Sequence, residues 1–79
     1  MPRLVTIGRV AICLYADDHV PPDFHVRTPD GEAQVRIDTL EMMRGSIQRS
    51  DLEVAIRWAL IPENRLAISA EWDRLNERD

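Results

Sequence analysis

The sequence predicts an α+β fold, in which an antiparallel sheet of about four strands, arranged as two hairpins, packs against one kinked or two short C-terminal helices. Short β-type runs fill the chain up to residue 45, and a strong turn sequence separates two of them. Apolar residues at helical spacing fill residues 50–77. At 79 residues the chain is long enough for one domain spanning residues 1–79.

The first hairpin is predicted from two β-type runs, residues 4–7 and residues 10–15. Gly8 and Arg9 between them are enough for a tight turn. Both faces of the second run are mostly apolar, so we expect this strand to lie inside the sheet. Its Cys13 is then a buried thiol and not a nucleophile.

The second hairpin is predicted over residues 24–38, because apolar and polar side chains alternate on both sides of Pro29-Asp30-Gly31. Proline presets its φ angle, aspartate can bond the backbone ahead, and glycine accepts positive φ. We therefore expect the turn at Asp30-Gly31, with positive φ at the glycine. Residues 40–43 either continue the sheet or begin an irregular link.

The helical half begins at a capping-box pattern, Ser50-Asp51-Leu52-Glu53. Pro62 must kink this helix or begin a second one. Two sets of residues are predicted to be buried: the stripe Leu52, Ala55, Ile56 and Ala59, and the later positions Ile68, Trp72 and Leu75.

A second apolar stripe predicts a contact surface. Val54, Trp58 and Ile61 share one side of the helix, and one small sheet cannot cover them together with the first stripe. A short chain also has a modest core, and its single cysteine cannot form an internal disulfide. We therefore expect a protein partner or a homo-oligomer at these three residues.

Composition argues against several classes of protein. Hydrophobic residues make up 44% and charged residues 30%, as in a folded domain. The net charge of −4 argues against a general nucleic-acid binder, although it does not exclude a local arginine patch. The ten basic residues are all arginine and are scattered, which is typical of a GC-rich genome. No apolar run could span a membrane or serve as a signal peptide, so we expect a cytoplasmic protein.

One polar cluster could carry chemistry. Both histidines and three aspartates lie within residues 17–25. Imidazole and carboxylate ligands suit zinc, manganese or non-haem iron. The candidate ligands of a divalent metal are His19, Asp23, His25 and Glu32. A structural role for this cluster is favoured over metal binding, because the histidines can bond backbone carbonyls and the prolines can shape the crossover between the two hairpins. We expect no cofactor, assign no catalytic residue and favour a binding protein over an enzyme.

A wider pattern carries a resemblance. Its parts are His19-Val20-Pro21-Pro22-Asp23-Phe24-His25-Val26, Gly31-Glu32-Ala33, Glu63-Asn64-Arg65 and Trp72. From Ile7 to Leu75 the chain resembles the domain-of-unknown-function family 4160, which consists of short bacterial and archaeal proteins. The His-x-Pro-Pro segment is the specific part of the match.

The sequence departs from that family at two positions. The first segment usually reads His-x-Pro-Pro-His-x-His, so Asp23 replaces the middle histidine and weakens a three-histidine site. Pro62 stands where the family usually has a helix-compatible residue. Members are often encoded beside another very short gene, so the resemblance implies a two-gene module of the toxin–antitoxin type.

The leading functional hypothesis is a small protein-binding component of such a module. The first alternative is a small metal-dependent hydrolase or nuclease that uses the His19 and His25 cluster. The second alternative is a structural or regulatory domain with no catalytic site.

Overall fold

The structure, a computed structural model, describes residues 3–15 and 21–76. Its five strands are antiparallel neighbours in chain order across one sheet, and two helices follow the last strand. The elements are β1 (Arg3–Ile7), β2 (Val10–Cys13), β3 (Asp23–Thr28), β4 (Gly31–Arg36), β5 (Met42–Ser46), α1 (Arg49–Leu60) and α2 (Pro62–Leu75). The predicted α+β class is confirmed, and β5 is the strand beyond the expected four.

The helices cover one face of the sheet, where the hydrophobic core lies. Strand residues on that face alternate with polar residues on the other face, as the period of a strand requires. The core consists of Val10, Ile12, Leu14, Phe24, Val26, Val35, Ile37, Ala55, Ala59 and Ile68. Leu52, Ile56, Trp72 and Leu75 are partly buried against it, so both predicted buried sets are confirmed.

The second hairpin lies where the alternation over residues 24–38 predicts it. β3 and β4 pair along their whole length, which leaves Pro29 and Asp30 as the two turn residues. The Thr28 hydroxyl accepts hydrogen bonds from the backbone N–H groups of Asp30 and Gly31, both at 3.2 Å. This local bonding holds the turn closed.

Gly31 is needed for a different reason from the one expected. Positive φ occurs at Gly8 and Gly45, but not at Gly31, so that part of the turn prediction is wrong. A Cβ at Gly31 would overlap the backbone carbonyl of Ser46 on the adjacent β5. The glycine is therefore required by the close approach of two backbones.

The predicted capping box is wrong. α1 begins at Arg49, and the carbonyl of Gln48 accepts its first backbone hydrogen bond, from Asp51 at 3.1 Å. Ser50 therefore lies inside the first turn and cannot cap it. The N-cap residue Gln48 makes no side-chain capping bond.

Asp51 stabilises the fold through a tertiary contact. It is buried in the first turn of α1, where the helix dipole favours a negative charge. Its carboxylate binds the Arg9 guanidinium at 3.1 Å, and the same guanidinium binds Asp30. Arg9 thus joins the β1–β2 turn to the β3–β4 turn and to the start of α1.

Pro62 separates two helices, which settles the choice that the sequence left open. Ile61 is extended, with φ −67° and ψ 123°, and Pro62 occupies the first turn of α2. The Asn64 side-chain amide donates to the Trp58 carbonyl at 3.1 Å, which satisfies a carbonyl at the end of α1. Neither helix of the described chain has the length and apolar character that a membrane span needs.

Arg65 attaches α2 to the sheet. Its guanidinium donates to the backbone carbonyl of Ile37 at 3.4 Å and also to that of Asp38. These carbonyls lie in the connection between β4 and β5, outside any helix or strand. One charged side chain therefore fixes α2 against the end of β4.

Candidate functional site

The side of the sheet that faces away from the two helices, here called the open face, carries two rows of paired residues. One row runs Arg3, Cys13, His25, Gln34 and Arg44 across the five strands. The other runs Thr6, Ala11, Arg27, Glu32 and Ser46. Because directly opposed residues share a face, the register alone brings these side chains together.

His25 lies at the centre of the open face and is the focus of its polar contacts. Its Nδ1 is 2.8 Å from Glu32 Oε2, and its Nε2 is 3.7 Å from Asp23 Oδ2. The Tyr15 ring packs edge-on against the imidazole, with centroids 4.5 Å apart and an interplanar angle of 75°. The imidazole side chain is only 15% exposed, so these neighbours fix its orientation.

The contact with Glu32 indicates the role of His25 Nδ1. An ionised carboxylate only accepts, so Nδ1 carries the proton that is donated to Glu32. On the other side of the ring, the Gln34 amide nitrogen lies 3.4 Å from Nε2. Both nitrogens of His25 therefore have partners on the sheet.

The four predicted metal ligands are only partly brought together. Asp23, His25 and Glu32 share the open face, whereas His19 lies outside the described residues. Glu32 binds Nδ1 while Asp23 faces Nε2, so the two carboxylates lie at different ring nitrogens and cannot join one ion on the same nitrogen. Within residues 3–15 and 21–76, no group of three or more His, Cys, Asp or Glu side chains could hold a metal ion. The metal site of His19, Asp23, His25 and Glu32 stays a prediction, because His19 lies outside the described residues.

Three arginines flank the polar centre, although they are far apart in the sequence. Arg3 and Arg44 end one row on the two edge strands, and Arg27 lies in the other row. Arg27 Nη1 donates weakly to the Tyr15 hydroxyl at 3.4 Å, and its Nε is 3.9 Å from Glu32. No described carboxylate lies within ion-pair distance of Arg3 or Arg44.

Sequence analysis missed this arrangement because it depends on strand register. Arg27 falls in the polar phase of a predicted strand, and that signal is visible in the sequence. Arg44 lies on β5, beyond residues 40–43, where continuation of the sheet was only one of two alternatives, and a bulge next to Arg3 shifts the register of β1. The three arginines lie on one face only when all five strands are paired in the observed register.

Cys13 also lies on the open face, and the prediction of a buried thiol is confirmed. Burial raises the pKa of this thiol, and the smaller opposing effects of Arg27 and Arg3 do not cancel it. A raised pKa leaves little thiolate near neutral pH. Cys13 therefore lines the surface as an apolar residue.

The three residues of the predicted contact stripe differ in their exposure. Val54 is 36% and Ile61 45% exposed, whereas Trp58 is partly buried against the core. Two neighbours that the sequence analysis did not select are more exposed: Leu60 at 57% and Leu66 at 72%. Four large apolar side chains are thus at least one-third exposed between residues 54 and 66.

Comparison with known proteins identifies the family. The profile of a domain of unknown function, DUF4160, matches residues 10–73. Neither a curated protein nor a solved structure matches the chain. The family match covers β2 to β5, α1 and most of α2, and so includes the exposed part of the helices and the open face except for β1. The chain therefore belongs to the DUF4160 family, as the resemblance of its His-x-Pro-Pro segment predicts.

Proposed function

We propose that this protein is a small protein-binding component of a two-gene, toxin–antitoxin-like module. The observation that supports it is the exposure of Val54, Leu60, Ile61 and Leu66 around the junction of α1 and α2. Burying one such side chain contributes about 1.5–3 kcal/mol. Exposed apolar side chains grouped in one region of a small protein are typical of an interaction site.

The partner we infer is the second short protein of the module, with an apolar surface of its own. The resemblance described above supports a separate partner, because members of the family are often encoded beside another very short gene. Charged residues accompany the apolar ones on α1, and Glu53 and Arg57 are both exposed. Such a mixture of an apolar centre and a polar rim is the usual composition of a protein interface.

Co-purification with the product of the neighbouring gene tests this proposal. Wild-type protein should retain the partner, and Leu60→Gln combined with Ile61→Ser should weaken binding about tenfold or more. Ile61 precedes Pro62 as the N-cap residue of α2, where serine is preferred, so this variant keeps its fold. Met42→Gln is the matched control, because Met42 is an apolar side chain that is 47% exposed on β5 and belongs to neither helix.

Trp58 is a less decisive probe than the sequence indicates. Because its ring packs against the core, Trp58→Ala would change stability together with binding. Partner retention that survives the Leu60 and Ile61 substitutions would show that the helices are not the interface. Sedimentation of the purified chain provides the other test: a dimer that the double substitution dissociates would make a second copy the partner, against the proposal.

A further inference from the structure

We propose that the open face binds single-stranded nucleic acid, with backbone phosphates held by Arg3, Arg27 and Arg44. The inference is independent of the helical surface proposed above, because it depends on the opposite side of the sheet. It also concerns only a local patch, since the chain as a whole carries a net charge of −4.

One end of the open face has a depression with arginines in its lining. A shallow depression of about 290 Å³ is lined by Arg3, Arg9, Ala11, Cys13, Arg27, Thr28 and Pro29. Three arginines line it and no described carboxylate does; Arg9 is already bound to Asp30 and Asp51, which leaves Arg3 and Arg27 to face a ligand. Guanidinium donors match phosphate oxygens bidentately and are weakly hydrated, so a phosphate is favoured there.

The other end has a second depression beside Arg44. It measures about 310 Å³, and its lining includes His25, Glu32, Gln34 and Arg44. Arg3, Arg27 and Arg44 lie on β1, β3 and β5, which are alternate strands of the sheet. Neighbouring strands are about 4.8 Å apart, so the arginine backbones are spaced by about 10 Å across the strands. This spacing suits an extended polyanion that crosses the strands.

The groups between the arginines favour nucleic acid over an acidic peptide. Asp23 and Glu32 share the face with the arginines and repel any anion, so a polyanionic ligand must place uncharged groups beside them. A nucleic acid places neutral bases between its phosphates. The rings of Tyr15 and His25 are aromatic surfaces of the kind on which bases stack, and the Gln34 amide can bond a base edge.

Salt dependence of oligonucleotide binding tests the phosphate contacts. We expect a labelled oligouridylate to bind in fluorescence anisotropy with a dissociation constant of about 1–100 μM at physiological salt. Three phosphate contacts predict a slope of about −2 in a plot of log K against log salt concentration. Each of Arg3→Gln, Arg27→Gln and Arg44→Gln should reduce the size of that slope by about 0.7.

Two matched controls separate this site from nonspecific attraction. Arg57→Gln removes an equally exposed arginine from α1 and should leave both affinity and slope unchanged. Tyr15→Ala should weaken binding about fivefold or more without changing the slope, because it removes stacking and no charge. Tyr15→Phe should bind like the wild type. Circular dichroism of each variant shows that the fold is retained.

Three outcomes would overturn the proposal. The first is the absence of measurable oligouridylate binding at low salt. The second is an equal loss of affinity in Arg57→Gln and in the three open-face variants. The third is competition by polyglutamate as effective as that by unlabelled oligouridylate, which would assign the face to an acidic protein.

Discussion

The two faces of the sheet use the same strands for opposite purposes. On β3, Phe24 and Val26 are fully buried against the helices, while the intervening His25 and the following Arg27 lie on the open face. The covered face is a continuous apolar core, whereas the open face collects arginines, carboxylates and an imidazole. The difference teaches that this small fold places its apolar core on one face and its polar side chains on the other, which is the face where we propose binding.

The largest effect should come from the covered face. Phe24→Ala removes the largest fully buried side chain and should lower the free energy of unfolding by about 3–5 kcal/mol. For a chain of this size that loss should abolish cooperative unfolding at room temperature, as measured by urea titration. A Phe24→Ala protein with a normal urea transition would show that the core is not where stability resides.

The next effect concerns how the edge strand β5 joins the sheet. Gly31→Ala should destabilise by about 1–3 kcal/mol, because its Cβ would displace Ser46, and amide exchange along β5 should accelerate. Gly31→Asn should lower the free energy of unfolding by as much as Gly31→Ala. At Gly8, where φ is +60° and no atom crowds a Cβ, asparagine should be tolerated better than alanine. Equal behaviour at the two glycines would contradict the close-approach explanation.

A smaller effect is expected where α2 is attached to the covered side. Arg65→Ala removes hydrogen bonds to the Ile37 and Asp38 carbonyls and should cost about 1–2 kcal/mol of unfolding free energy. Arg57→Ala is the control on the exposed side of α1 and should have little effect. Urea titrations of the two variants compare them directly. An Arg65→Ala cost no greater than the control would mean that α2 is held by apolar packing alone.

The smallest effect is kinetic and concerns the open face. Because burial raises the pKa of the Cys13 thiol, the folded protein holds less thiolate than a free cysteine at any pH near neutral. The reaction of Cys13 with a disulfide reagent should therefore be slow. Its rate should begin to increase at a higher pH than the rate for free cysteine, and unfolding in urea should make the reaction fast. Rapid reaction of the folded protein at pH 7 would show that this surface is more open than described.

The contrast between the covered face and the open face also explains how much of the structure could be predicted from the sequence. Local patterns were sufficient for the hairpin over residues 24–38 and for the buried positions of both helices, because strand and helix periodicity are local. The prediction of Ser50 as the helix cap was wrong because a capping box is a purely local pattern. The helix start is instead set by Gln48, whose carbonyl accepts the first backbone hydrogen bonds, and by the tertiary ion pair between Asp51 and Arg9.

The open face could not be predicted as a site, because its members meet only through register. Arg3 and Arg44 lie on edge strands with irregular pairing, and residues of β5 are exposed, so no alternation marks that strand. His25 and Glu32 were selected for their chemistry, and their 2.8 Å contact depends on the pairing of β3 with β4. Exposure at Leu60 and Leu66 depends on how the two helices pack.

A pair of neighbouring substitutions on β3 is the most direct test that stability depends on the covered face and binding on the open face. Val26→Ala and Arg27→Ala change adjacent residues on opposite faces, with the same strand pairing. Val26→Ala should lower the free energy of unfolding by about 2 kcal/mol, and Arg27→Ala should leave the urea midpoint unchanged while weakening oligonucleotide binding. Equal shifts of the urea midpoint in the two variants would contradict the assignment of stability to one face and of binding to the other.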